Sequence, residues 1–415
     1  MRLSWVRSPG TSADVATSVL EDRGPIRGEA LSLEDLESTA RSLSSKFVLA
    51  PKTRFGTRPF FRRLRENEAV LRRAHEVLAG DVHRAEAIPP AAEWLLDNYN
   101  LLESEILDVF RNLPGRYYAD LPKLASSERP GTARVYAMAL EIIRHSDARL
   151  DSERLERFVS TYQAGAPLTM GELWAWPIML KAGLVENLRR LASELLDNRA
   201  GRLQADLYFR DLEAREAKGR LPAPASTAFL VQLFKRMREQ DTRVGPLRAE
   251  LEKRLAVLGM TPEDAIREEH QWQANLQIAT GNVITSLRFC SSFDWNRYFE
   301  RVSLVEQALM RDPAGVYTKM DFGSRDRYRH AVEELAEPTG EGQVKIALQS
   351  IDIARRAAEQ RSARRSVPRS SLSSSRRNRA LAGAAPRVHA TPPWRMKKRL
   401  GPRRPTLRSS SYLVK

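Results

Sequence analysis

Apolar residues recur at helical spacing in almost every periodic segment of this 415-residue chain. No segment keeps the two-residue alternation rich in Val, Ile and Thr that a half-buried strand requires. Ser32-Leu33-Glu34-Asp35 has the form of a capping box and opens a helix to about Phe47; Phe61, Leu64, Leu71, Ala74 and Leu78 mark the face of the next. Pro89-Pro90 starts what the spacing predicts as one long helix, its stripe formed by Leu95, Tyr99, Leu102, Ile106, Val109 and Leu113, ended by Pro114-Gly115. Further helices are predicted at 133–145, 152–163, 169–198, 202–218, 227–239, 246–258, 262–287, 295–310, 325–336 and 342–360. No repeat period of 30–50 residues is evident. The expected class is all-α, a bundle or array of about a dozen helices.

Charge divides the chain. There are 68 Lys+Arg against 52 Asp+Glu, a formal +16, yet no acid follows Glu359, and 361–415 alone carries 16 of the cations. The body is formally neutral, so any attraction to nucleic acid or anionic lipid belongs to the tail. With ten Ser, six Pro and few large apolar residues, that tail is expected to be disordered. The expected organisation is a flexible 1–23, helical regions at 24–219 and 227–360 separated at the Pro/Ala-rich Arg220–Ser226, and the basic tail 361–415. One cysteine, Cys290, fits a reducing compartment. The N-terminus lacks the apolar core of a secretory signal, and the longest apolar stretch, 173–185, is too short to span a bilayer and contains Pro177 and Lys181. A cytoplasmic location is expected.

The sequence carries no glycine-rich phosphate loop, dinucleotide fingerprint, HExxH zinc pattern, nucleophile elbow or Asp-x-Asp. No catalytic residue, metal ligand or cofactor is assigned. Three segments stand out. In Leu168–Ala192 a capping-box pair, Thr169 and Glu172, precedes Trp174, Trp176, Met179, Leu180, Leu184 and Leu188, enough apolar surface for a buried central helix that Pro177 should kink. Glu172, Lys181, Glu186 and Asn187 lie among these groups and either solvate one face or pair with each other, or form a buried polar network that fixes inter-helix geometry. Trp94–Tyr99, followed by the connection PGRYY at 114–118 and LPKL at 121–124, reads as helix core plus an aromatic turn, or as an aromatic stacking surface. Asn282–Glu300 and Tyr317–His330 are broken apart by Asp312-Pro313; Asp321, Arg325, Asp326, Arg327 and Arg329 read as a solvated helix start with local ion pairs, or as an arginine cluster for phosphate.

Taken in order, GPIRGE, PAAEWLLDNYN, LPGRYYADLPKLA, LTMGELWAWPIMLKAGLVENLRRLA, NVITSLRF and the run FDWNRYFERVSLVEQALMRDPAGVYTKMDFGSRDRYRHAVEELA resemble the start of bacterial cyclic β-1,2-glucan synthases, over about Gly24 to Gln360. The resemblance implies a polypeptide that continues into inner-membrane helices and a UDP-glucose-using glycosyltransferase domain, with this region on the cytoplasmic side and those domains as its partners. No catalytic residue transfers. Glu172, Trp174, Glu186, Asn187, Asp321, Arg325, Asp326 and Tyr328 match the family pattern without an assigned role.

The tail departs from that pattern. Its Arg/Ser/Pro/Ala composition is what GC-rich codons give out of frame, so a frameshift near residue 360 and a truncated, non-catalytic helical module are the expectation. The alternative is a helical protein whose basic arm binds nucleic acid or anionic lipid.

Overall fold

A computed structural model of the chain describes residues 24–51, 56–125, 130–215, 226–239, 245–257 and 259–366. Among them are fifteen α-helices, a short 3₁₀ turn at Tyr317–Lys319, two isolated bridges (Leu49 with Leu124, Lys123 with Ala133) and no strand. The all-α expectation holds. The tail lies outside the described residues except for its first part, and so do 1–23 and nearly all of the expected junction at 220–226. The chain divides into two compact units, with the boundary between Gln307 and Ala308.

The first unit comprises α1 (Leu33–Lys46), α2 (Arg58–His83), α3 (Pro90–Asp97), α4 (Tyr99–Asn112), α5 (Gly115–Asp120), α6 (Arg134–His145), α7 (Ser152–Gly165), α8 (Met170–Arg215), α9 (Thr227–Glu239), α10 (Gly245–Val257), α11 (Pro262–Ser292) and α12 (Trp295–Val302). Its spine is α8, which packs against α2, α4, α6, α9, α11 and α12. Residues 175–188 of α8 are buried without exception, the polar Lys181, Glu186 and Asn187 included. Trp176, Met179, Leu180, Leu184 and Leu188 are fully enclosed, each worth roughly 1.5–3 kcal/mol of transfer free energy. A smaller cluster gathers Phe209, Phe229, Leu230, Leu233, Phe234, Leu251 and Leu255 where α9 and α10 meet the far part of α8.

Five local expectations are corrected. The helix predicted from Pro90 to Leu113 is two helices. Asn98 leaves helical geometry (φ −113°, ψ 11°), and its amide donates to the Trp94 carbonyl at 2.7 Å, closing α3 before α4 begins. Residues 115–120, read as a connection, form α5. The two helices predicted at 169–198 and 202–218 are one, about 69 Å long at 1.5 Å per residue. Gly201 does not break it. A Cβ there would lie 2.5 Å from Ser226 Oγ and 3.3 Å from Ala228 Cβ, so glycine lets the start of α9 lie directly on α8. The helix predicted at 295–310 is interrupted at Ser303, whose hydroxyl accepts from Glu306 N at 3.2 Å and caps α13 (Leu304–Leu309), the helix that crosses the unit boundary. Finally, α15 continues to Ser366, past the expected start of the tail.

Beyond α13, the second unit contains the 3₁₀ turn, α14 (Phe322–Thr339) and α15 (Gln343–Ser366), which pack on each other. Asp312 folds the chain ahead of them: its carboxylate accepts from Ala314 N at 3.1 Å, Val316 N at 2.9 Å and Tyr317 N at 3.1 Å. No helix among the described residues is long and apolar enough to cross a membrane.

Candidate functional site

The polar side chains embedded in α8 do not solvate a face. They are buried, and each is tied to another part of the first unit. Thr169 and Glu172 form the expected box at the helix start: Glu172 N donates to Thr169 Oγ1 at 3.2 Å, and Thr169 N donates to Glu172 Oε2 at 2.9 Å. The same carboxylate is gripped from α6 by Arg134, with Nε at 2.8 Å from Oε1 and Nη2 at 2.5 Å from Oε2. Burial opposes the charge on Arg134, but the Glu172 carboxylate outweighs it and raises the guanidinium pKa. A third bond from Arg134, from Nη2 to the Pro167 carbonyl at 3.1 Å, fixes the approach to α8.

Two turns further along, Lys181 Nζ sits 2.7 Å from Glu105 Oε2 and 2.7 Å from Asp108 Oδ2, both on α4. Burial would lower the lysine pKa, and the two carboxylates reverse that. Ser291 of α11 donates to Glu105 at 2.6 Å, so three helices share this junction.

Glu186 is the most heavily partnered. Arg63 of α2 donates from Nε to Oε2 at 3.0 Å and from Nη2 to Oε1 at 2.9 Å; Arg189 and Arg190 reach Oε1 at 2.9 Å and 2.7 Å. Burial raises the carboxyl pKa, but the three arginines more than offset it and hold it down at about 2. Asn187 accepts from Ile26 N at 2.7 Å, and Arg190 donates to Gly24 O at 3.0 Å, so the GPIRGE segment is clamped onto α8. Trp174 stacks on Phe299 of α12 at 4.3 Å with an interplanar angle of 14°.

The other quoted segments also serve the frame. In NVITSLRF, Asn282 donates to Asp147 O at 3.0 Å, and Ser286 both donates to Ala148 O at 2.6 Å and accepts from Leu150 N at 2.9 Å. These bonds hold the turn in which Asp147 and Ala148 take positive φ. Cys290 is buried, which pushes its thiol up to about 12, out of the nucleophilic range. His75 stacks on Tyr99 at 3.9 Å.

The remaining pattern residues belong to α14 in the second unit. Asp321 caps that helix, accepting from Ser324 N at 2.6 Å; this backbone bond lowers its pKa. Asp326 is exposed and lies 3.7 Å from Arg329, itself buried against the Phe322 ring. Tyr328 is half-exposed and meets Tyr317 edge-on at 5.9 Å. Arg325 is partly buried beside them.

Within the first unit the pattern residues do not converge on one point. Glu172 and Glu186 lie about 21 Å apart along α8, each saturated by arginine. Among the described residues no group of three His, Cys, Asp or Glu side chains is arranged to hold a metal ion. What the arrangement does is fix helices against one another.

One open feature of the first unit was not anticipated. Between the start of α2, the end of α4 and the start of α5 lies a groove of about 650 Å³. Phe61, Phe110 and Leu113 form its apolar floor, and Arg58, Arg62 and Arg65 stand along it. The four-then-three spacing of these arginines, which puts them on one helix face, was the available signal.

No family model matches the chain. It is 34% identical over 354 residues to the cyclic beta-(1,2)-glucan synthase NdvB of Rhizobium meliloti (strain 1021), a match that covers 80% of this chain. The chain spans only 12% of the length of that relative. The likeness read from the ordered motifs is therefore a likeness to a part: the chain is related to one segment of a cyclic β-(1,2)-glucan synthase.

Proposed function

We propose that the chain is a non-catalytic helical module acting in cyclic β-(1,2)-glucan synthesis. It would scaffold the membrane-embedded and sugar-transferring parts of a synthase, from the cytoplasmic side. The observation that carries this reading is the 34% identity over 354 residues to NdvB. The state of the pattern residues supports it. Glu172 and Glu186 are spent on buried arginine pairs, and the Glu186 carboxyl, held at about 2, exchanges no proton near neutral pH.

The test is a segment exchange. The matching segment of NdvB is deleted, or replaced by 24–360 of this chain, and cyclic glucan is measured in cells that accumulate each protein. Deletion abolishes glucan and the exchange restores it. An exchanged protein that accumulates without making glucan refutes a shared role. Glucose transfer from UDP-glucose by the purified chain alone refutes the non-catalytic reading.

A further inference from the structure

We propose that the groove between α2, α4 and α5 is a docking site for an acidic, extended polypeptide segment bearing an aromatic or aliphatic anchor. The floor supplies the anchor's place. Phe61 is held edge-on by Phe60 at 5.4 Å and by Tyr118 at 5.7 Å, so it meets an incoming side chain as a fixed wall and loses little freedom on contact. Phe110 and Leu113 complete the concavity.

Charge supplies the rest. Arg58, Arg62 and Arg65 are exposed on one face of α2. Arg62 reaches only Glu66, at 3.6 Å, and Arg58 and Arg65 have no acidic partner among the described residues. This contrasts with Arg63, between them in sequence, which is committed to Glu186. Three cations beside an apolar floor complement a segment in which carboxylates flank an apolar side chain.

Spacing favours a peptide over other anions. Arg58 and Arg65 are rooted about 10 Å apart along the helix axis. Two carboxylates three residues apart on a polyproline-II-like extended chain point to the same side and are separated by about the same distance, at roughly 3.1 Å per residue. A single phosphate would engage one or two of the arginines and leave the floor uncovered. A flat lipid surface cannot enter a concave groove whose apolar groups lie at its bottom.

The test uses the whole chain and a short fluorescent probe peptide in which glutamates flank a photoreactive benzoylphenylalanine. Crosslinked sites are mapped by mass spectrometry, because the basic 367–415 gives acidic peptides a second place to bind. Crosslinks are expected on 58–65 and 110–115. Affinity at that site should weaken about tenfold or more in the Arg58→Ser/Arg65→Ser double variant, while Arg72→Ser, exposed farther along α2, leaves it unchanged. Both variants alter exposed side chains, and circular dichroism checks that they fold. Crosslinks confined to 367–415 overturn the proposal. So does equal binding of the peptide with Gln in place of Glu, or an unchanged affinity in the double variant. Displacement of the crosslink by inorganic pyrophosphate at lower concentration than by unlabelled peptide assigns the groove to a phosphate instead. Binding of phosphatidylglycerol vesicles through 58–65, with no peptide crosslink there, assigns it to lipid.

Discussion

The two units treat similar charge patterns in opposite ways. On α8, Glu172 and Glu186 are enclosed, and each is met by at least one arginine from another helix. On α14, Asp321 and Asp326 stay at the surface and serve their own helix, one as its cap and the other as a partner one turn away. Charge is denser around Asp321–Arg329 than around Glu172–Arg190, so charge density alone does not decide the outcome. What separates them is the surrounding apolar content. Trp176, Met179, Leu180 and Leu184 put α8 inside a core, where a carboxylate must be paired, whereas water does the same work for α14 at little cost.

The sharpest way to break the contrast is to remove charge from the buried side. Glu186→Gln leaves Arg63, Arg189 and Arg190 without their shared anion, and should destabilise the first unit by about 3–5 kcal/mol, read by denaturant unfolding. A loss under 1 kcal/mol would mean that water reaches these arginines.

Acid should act next in size. Folding holds the Glu186 carboxyl at about 2 against an ordinary 4.5, so its contribution is fully present above pH 4.5 and disappears as pH falls toward 2. The shift is worth about 3 kcal/mol. Stability followed between pH 5 and 2 should fall steeply in the parent, and Glu186→Gln should flatten that fall. Parallel slopes would remove Glu186 as the source.

Lys123 tests the reverse sign. It is buried over the Tyr118 ring, 3.5 Å from its centroid, and burial pushes its ammonium down to about 8 from 10.5, against Asp120 and Glu172. The unfolded chain therefore holds more protons between pH 8 and 10.5, and stability should rise across that window as the cost of the buried cation is relieved. Lys123→Met should cancel the rise and add about 1–3 kcal/mol at pH 7; Lys123 Nζ also donates to the Tyr118 carbonyl, and a destabilised variant without the pH effect would show that this bond outweighs the charge.

The smallest effect belongs to the second unit. Asp321→Ala should speed amide exchange in the first turn of α14, at Gly323 and Ser324, and leave exchange in α8 untouched. Slowed or unchanged exchange at Ser324 would deny Asp321 its capping role.

Much of this fold was legible in the sequence, because apolar spacing and caps act locally. Ser32 and Thr169 mark helix starts by hydrogen bonds that span three residues, and 227–239 could be bounded from its own pattern. The errors came where a distant partner decides. Gly201 reads as a break until the start of α9 is placed on it, and Asn98 reads as helix interior until its side chain takes a carbonyl of the preceding turn. The candidate residues divide the same way. Glu172 and Glu186 could be picked out as polar groups in an apolar run, but Arg63, 123 residues from Glu186, could not be named as the partner. The arginine-lined groove has no local sequence signature because Phe110 lies on a different helix from Phe61.

The enclosure of α8 also bears on how the chain is made. A stretch enclosed on every side, as 175–188 is, depends on its neighbours for cover, and its last covers, α11 and α12, leave the ribosome on the order of 100 residues after it. At about 5–20 residues per second, that stretch waits about 5–20 s for its neighbours. During synthesis the spine of the first unit is therefore its most adhesive part, and a nascent chain arrested before Trp295 should be held by chaperones at 175–188.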